Sequence, residues 1–252
     1  MNVLVQPAGG AAPMSSRLRD GRYGMTFVLI PGAGGEAWFW HRLVAELSSR
    51  GHAAVPVDLP AGDDTAGWAE YTDAVVAAAA GARDVVLVAQ SMGGFTGPLV
   101  CGRLPVRLLV LLNAMIPAPG ETGGAWWENT GQHKAYAELA AAQGRVLGDE
   151  FDAEAVFFHD VPDDVTATAM SREPEQSDTP FTQPWPGDRW PDVPTRVIAA
   201  RDDRLFPLEF QRRVARERLD LPVDEIPGGH LAALSRPREL ADRLEEYVTA
   251  LG

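Results

Sequence analysis

Ser91, His230 and the pair Asp202–Asp203 are the residues of this 252-residue chain whose types and settings add up to a reaction. A serine hydroxyl is a poor nucleophile at neutral pH unless a base removes its proton as it attacks. The base in turn needs a carboxylate to fix its tautomer and stabilise its charge. Ser91 ends the apolar run Val85-Val86-Leu87-Val88-Ala89-Gln90 and is followed by Met92-Gly93-Gly94. A strand that stops at a serine and turns sharply into a helix holds the hydroxyl above the sheet. The residues two before and two after the serine must then be small, so that strand and helix can approach. Ala89 and Gly93 fill those places. Glycine is usual at both, so the Ala89 methyl uses up clearance. Gly94 and Gly97 keep the helix face small, while Pro98 is unexpected so early in a helix.

The chain has five histidines. Only His230, in Ile226-Pro227-Gly228-Gly229-His230, lies just beyond the C-terminal end of an expected sheet strand. That is the rim where open parallel sheets bind ligands and where Ser91 points. His52 reads as a solvated turn residue, and His41 as a first-helix residue facing solvent or a neighbouring side chain. His133 and His159 fall in a later segment, with a surface role favoured for His159 over reach to a substrate. The run Ala199-Ala200-Arg201-Asp202-Asp203-Arg204-Leu205-Phe206-Pro207 delivers two aspartates to the same rim. One faces His230; the other is free to cap the next helix or to pair with Arg201 or Arg204.

Acyl transfer also needs N–H donors for a developing oxyanion. The Met92 amide, at the start of a helix, is one. The second is expected from the loop Pro31-Gly32-Ala33-Gly34-Gly35, whose glycines allow a tight turn and close approach to a ligand. Its spacing fits neither the dinucleotide fingerprint nor a phosphate-binding P-loop.

These groups must be positioned by a regular framework. Strands are expected at Met25–Ile30, Ala53–Asp58, Val85–Ala89, Arg107–Leu112, Thr195–Ala200 and Leu221–Ile226. Helices are expected at Ala37–Ser49, Thr65–Ala80, Gly93–Leu104, Leu208–Leu219 and Pro237–Leu251. Such alternation implies an α/β fold with a mainly parallel six-stranded sheet and helices on both faces. Pro56 and Pro222 place the second and sixth strands at sheet edges or strand ends, because proline cannot donate to a ladder.

Residues 1–24 read as a flexible extension, 25–113 and 192–252 as the core, and 114–191 as an insertion. The insertion breaks the alternation and carries Trp126, Trp127, Trp185, Trp190, Phe157, Phe158 and Phe181 among prolines and acids. It reads as a lid over the site, against the alternative of a helical excursion that touches no ligand.

A formal net charge of −13 disfavours nucleic acid and anionic membranes as partners. The single cysteine, Cys101, rules out an internal disulfide and is expected as a buried structural thiol. No apolar run is long enough to span a bilayer, and the start lacks the pattern of a signal peptide, so the cytoplasm is the expected compartment.

Taken together, the loop, the serine turn, the aspartate loop and the histidine resemble the α/β-hydrolase superfamily from Met25 to the C-terminus. The run Leu29-Ile30-Pro31-Gly32-Ala33-Gly34-Gly35-Glu36-Ala37-Trp38-Phe39-Trp40 is similar to the oxyanion segment of its compact esterase and hydroxynitrile-lyase branch. That segment usually begins His-Gly-Ala and ends Trp-x-Trp. Pro31 stands for the histidine, while Gly32, Ala33, Trp38 and Trp40 match. The resemblance implies that the Ala33 amide is the second oxyanion donor. The family's acid loop, Gly-x-x-Asp-x-x-x-Pro, falls on Ala200 to Pro207 and selects Asp203 over Asp202. The branch lacks the first two strands of the full fold, which also sends the second and sixth strands here to the edges. Departures are Ala89, and Gln90 where relatives often carry histidine or tyrosine.

The expected activity is serine hydrolysis of carboxylic esters through an acyl-enzyme, with Ser91, Asp203 and His230 catalytic and Ala33 and Met92 forming the oxyanion hole. Trp38, Phe39, Trp126, Trp127, Phe157 and Phe158 are the expected substrate contacts, favouring small to medium, mainly apolar molecules. No metal or organic cofactor is implied, and the expected partner is a small-molecule substrate. Two alternatives are a non-hydrolytic lyase on the same scaffold, for which Lys134 is the one candidate lysine in the insertion, and a ligand-binding protein that kept the hydrolase shell.

Overall fold

In the computed structural model, residues 24–148 and 150–251 are described. The expected extension at residues 1–24 therefore lies, but for Gly24, outside the described residues. Six parallel strands form one sheet: β1 (Thr26–Ile30), β2 (Ala53–Pro56), β3 (Val85–Gln90), β4 (Val106–Leu112), β5 (Thr195–Ala200) and β6 (Val223–Ile226). Their order is β2-β1-β3-β4-β5-β6. β2 and β6 are thus the edge strands, as their prolines require: Pro56 ends β2, and Pro222 falls just before β6.

Period-two alternation splits the strand residues between two apolar layers. Phe27, Leu29, Val86, Val88, Val110, Leu112 and Ile198 face one layer, built with helices α1 (His41–Ser49) and α11 (Pro237–Leu251). Val28, Ile30, Val85, Leu87, Ala89, Leu109, Leu111 and Val197 face the other, with α2 (Trp68–Ala78), α3 (Gly93–Val100) and α9 (Leu208–Leu219). Every residue of β3 is buried. This is why its sequence is apolar from Val85 to Ala89 rather than alternating.

Several helices are shorter than the sequence suggests, for local reasons. Ala37–Trp40 forms a separate 3-10 turn before α1. At α2 the chain waits for Gly67, whose N–H donates to the Glu70 carboxylate at 2.8 Å, the half of a capping box that a glycine can make. α3 stops at Val100, ahead of Leu104, whose helical conformation is disfavoured by the following Pro105. A further short helix, α10 (Ala232–Ser235), follows the loop that carries His230.

Among the described residues, the segment between β4 and β5 holds five helices: α4 (Gly123–Thr130), α5 (Gln132–Ala142), α6 (Ala153–Phe157), α7 (Asp163–Met170) and α8 (Thr179–Thr182). Thr122 Oγ1 caps α4 through the Ala125 N–H at 3.0 Å, and Asp152 caps α6 through the Ala155 N–H at 2.9 Å. Trp126 and Trp185 anchor the segment by entering the apolar layer that contains α3 and α9. Their indole N–H groups are satisfied by the Ile116 and Phe95 carbonyls. A mostly buried ion pair from Arg218 of α9 to Glu121 adds a polar anchor, and Glu121 also accepts from Asn129 at 2.8 Å.

Candidate active site

Close packing at the β3–α3 turn is what presents Ser91. The serine has φ = 53°, a left-handed conformation that costs a non-glycine residue about 1–2 kcal/mol. A Cβ on Gly93 would lie 2.7 Å from the Pro31 carbonyl oxygen, and one on Gly94 only 1.9 Å from that of Met115. Glycine at these positions is therefore a steric requirement. The Ala89 methyl is accommodated because Gly97 faces it; a Cβ there would stand 3.0 Å away. The Ser91 carbonyl accepts from Gly94 and Met115 at 3.0 and 2.9 Å, which holds the strained turn in place.

The three side chains separated in sequence meet at this turn. His230 Nε2 lies 3.0 Å from Ser91 Oγ, and Nδ1 lies 2.8 Å from Asp203 Oδ2. An ionised carboxylate can only accept, so Nδ1 carries the proton and Nε2 is left to accept from the serine hydroxyl. Asp203 is 1% exposed. Its second oxygen, Oδ1, accepts the Leu205 and Phe206 N–H groups at 2.8 and 2.9 Å, which compensates the buried charge and fixes the carboxylate plane. Asp202 is exposed, and its Oδ2 accepts the Gly228 N–H at 3.3 Å.

The Pro31–Gly35 loop passes directly over the serine: a Cβ on Gly32 would lie 2.8 Å from that of Ser91. Gly34 and Gly35 have φ of +83° and +63°, so the loop's path depends on glycine. Among the described residues, the amides of Ala33 and Met92 donate to no other protein group.

The aromatic residues divide. Phe157 and Phe206 both pack on the His230 ring, with centroids 5.3 and 5.2 Å away. Trp127 stands behind Phe206 at 5.7 Å. Trp38 and Phe39 are half-buried and join Phe157 and Phe158 in an apolar cluster with Leu231 and Leu234. Phe158 is itself buried in that cluster. Trp126, expected to contact substrate, is instead a core side chain: it is 0% exposed and packs on Phe206 and Phe210. Lys134 is exposed on α5, 3.8 Å from Glu138.

Two histidines differ from their sequence reading. His52 is buried rather than solvated; its Nδ1 accepts the Met25 N–H at 3.2 Å, its Nε2 lies 3.4 Å from Glu245, and burial holds its pKa below the usual imidazole value. His159 is half-buried against the histidine loop, its Nε2 2.7 Å from where a Cβ on Gly229 would lie. Burial and then the Arg204 charge lower its pKa. The other two match more closely. His41 is exposed and within 2.9 Å of the Trp38 carbonyl, and His133 stacks on Trp127. Cys101 is buried, which pushes its thiol up to about 12.

Sequence reasoning missed the groups that brace the site. Asn113, fully buried at the end of β4, donates to the carbonyls of His230 and Gly229 at 3.0 and 3.3 Å and accepts the Ala200 N–H at 2.7 Å. Gln90 donates to the same His230 carbonyl at 3.2 Å. Asp160 accepts the Gly229 N–H at 2.8 Å. The one available signal was a polar residue closing or directly following an apolar strand, Gln90 as the last residue of β3 and Asn113 just after β4. Among the described residues, no group of three or more His, Cys, Asp or Glu side chains is gathered as a metal site.

The geometry has named relatives. A model of the alpha/beta hydrolase family matches residues 27–243, and the chain belongs to that family. A probable esterase, PIR7A, from Oryza sativa is 31% identical, covering 90% of this chain and 97% of that protein. Among solved structures, polyneuridine aldehyde esterase superposes with a TM-score of 0.69 at 23% identity, over 89% of this chain and 99% of that one. A pyrethroid hydrolase from Sphingobium faniae JZ-2 gives 0.68 at 22%, over 90% and 98%. The likeness to these two structures is one of fold. The protein is a carboxylesterase-like enzyme.

Proposed function

We propose that the protein hydrolyses carboxylic esters of small to medium, mainly apolar molecules through an acyl-enzyme on Ser91. The observation that carries this reading is the chain of contacts from Ser91 Oγ to His230 Nε2 at 3.0 Å and from Nδ1 to Asp203 at 2.8 Å. Ser91 Oγ attacks the acyl carbon while its proton passes to His230 Nε2, and Asp203 stabilises the imidazolium. The amides of Ala33 and Met92 receive the oxyanion. Collapse of the tetrahedral intermediate expels the alcohol, which takes the proton from His230. Water, deprotonated by His230 in turn, then releases the acid and restores Ser91.

The apolar preference is supported by Phe157 and Phe206 against the imidazole, with Trp127, Trp38 and Phe39 in the layer behind. In this reading residues 114–191 act as a lid, and the partner is a small molecule rather than a nucleic acid. Among the described residues, no helix is long and apolar enough to cross a membrane. The cytoplasm is the compartment we propose, since the single cysteine leaves no internal disulfide to form.

A fluorophosphonate probe tests the chemistry. The folded protein is expected to label at Ser91, with label lost in Ser91→Ala and in heat-denatured material. Absence of label on the folded, unsubstituted protein would overturn the reading, and an ester panel of graded acyl length then measures the apolar preference.

A further inference from the structure

Residues 171–175 are exposed, but the next two turn inward. Gln176 Oε1 accepts the Gly34 N–H at 2.9 Å, while its Nε2 donates to the Tyr71 hydroxyl at 3.1 Å and the Ser177 carbonyl at 2.9 Å. Ser177 N–H donates to the Ala61 carbonyl at 2.7 Å. Pro174 lies against Gly34, where a Cβ would stand 2.9 Å from that of the proline, and Arg172 is paired with Glu36 at 2.6 Å. This strap from the β4–β5 segment therefore meets the glycine loop twice at Gly34 and pairs with Glu36, the residue that follows the loop.

We infer that Gln176 is a positioning residue for the oxyanion hole: by holding the Gly34 N–H, it sets the direction of the Ala33 amide one residue earlier. The inference rests on the proposed ester hydrolysis for its kinetic consequence. Its physical basis is the peptide plane. The Gly34 N–H and the Ala33 carbonyl share one rigid plane, joined at the Ala33 Cα to the plane that carries the Ala33 N–H, so fixing the first narrows the φ/ψ range open to Ala33. The Gly32 contact with Ser91 fixes the loop from the other side. Without the Gln176 acceptor, a run with glycine at three of four positions has broad freedom, and the donor at Ala33 spreads over many orientations. Oxyanion donors act only when they are already aimed at the developing charge, and removing one costs about 100- to 1000-fold in kcat. Loosening one costs less.

The test compares the unsubstituted enzyme with Gln176→Ala and Gln176→Met; the second keeps most of the side-chain volume should the first fail to fold. Tyr71→Phe serves as a control that removes only a partner of Nε2. For the Gln176 variants, kcat on one ester is expected to fall about 10- to 50-fold, with KM changed less than about threefold. Ki for a trifluoromethyl ketone, whose hemiketal carries the oxyanion, is expected to rise by the same factor as kcat falls. The acid limb of the kcat/KM profile, which reports the base, is expected to stay where it is. Amide exchange at residues 32–35, read by mass spectrometry, is expected to speed up in the Gln176 variants but not in Tyr71→Phe.

Unchanged kcat and Ki in a folded Gln176 variant would overturn the inference, as would a joint shift of kcat, KM and the acid limb, which signals general loosening. Unchanged exchange would overturn it independently of any activity. Should the unsubstituted enzyme hydrolyse no ester, the functional proposal falls alone, and exchange still decides whether Gln176 holds the loop.

Discussion

The Asp203–His230 pair and the Pro31–Gly35 loop over Ser91 are held by different parts of the molecule. Asp203 and His230 sit at the ends of β5 and β6 and are braced from beneath by buried groups of the sheet: Asn113 after β4, Gln90 at the end of β3, and the amides of Leu205 and Phe206. The loop over Ser91 has a core contact through Leu59, whose N–H donates to the Gly35 carbonyl at 2.7 Å. It is also met by the β4–β5 segment, through Gln176, Pro174 and Arg172. A proton relay tolerates little relative motion between its members, so it belongs where packing is densest. The Pro31–Gly35 loop is reached from the surface, where the β4–β5 segment touches it.

This contrast can be broken experimentally, beginning with the relay itself. Asp203→Asn keeps an acceptor for the Leu205 and Phe206 amides but presents an N–H to His230 Nδ1, which forces the wrong tautomer. A loss of about 10⁴ in kcat is expected, with little change in Tm, measured by ester kinetics and calorimetry. A fall in Tm matching the lost activity would instead assign Asp203 a mainly structural role.

Asn113→Ala probes the brace below the relay. It strips a donor from two buried carbonyls and an acceptor from the Ala200 N–H, at a residue with φ = 45° that suits asparagine. A destabilisation of about 2–4 kcal/mol is expected, lowering Tm by about 5–15 °C, together with reduced kcat. Stability and activity are expected to fall together here, whereas the Gln176 variants are expected to lose activity alone. An Asn113 variant with normal Tm and reduced kcat would erase the distinction.

The smallest effect concerns acid stability, far from the site. Burial holds the folded pKa of His52 below its ordinary value, against the raising influence of Glu245. As pH falls below about 6.5, the unfolded chain takes up a proton that folded His52 does not, so stability declines until the folded pKa is passed. His52→Gln, which preserves an acceptor for the Met25 N–H, is expected to flatten the fall of the denaturation midpoint as pH drops below about 6.5. An unchanged slope would show that other groups control that window.

Legibility from the sequence followed how local each cause is. The central strands were visible because residues buried on both sheet faces are nearly all apolar, and the edge position of β2 and β6 because Pro56 and Pro222 cannot donate to a ladder. Ser91 was visible because its turn requires small neighbours, and Asp203 and His230 because each follows a strand end. His52 was misread because nothing adjacent to it reveals that Glu245, far along the chain, packs against it. Trp126 was misplaced for a similar reason. An aromatic residue in an insertion reads alike whether it faces a ligand or dives under Phe206.

By itself, then, the sequence determined the parallel sheet, the three residues Ser91, Asp203 and His230 that come into contact, and the rim on which they meet. Those follow from periodicity, steric clearance and chain order, all local properties. Tertiary structure alone decided which polar side chains hold the catalytic loops: Asn113 and Gln90 from below, Gln176 and Asp160 from the insertion. Such a bond joins residues as many as 142 positions apart in the chain, and only folding makes that separation a distance of 2.9 Å.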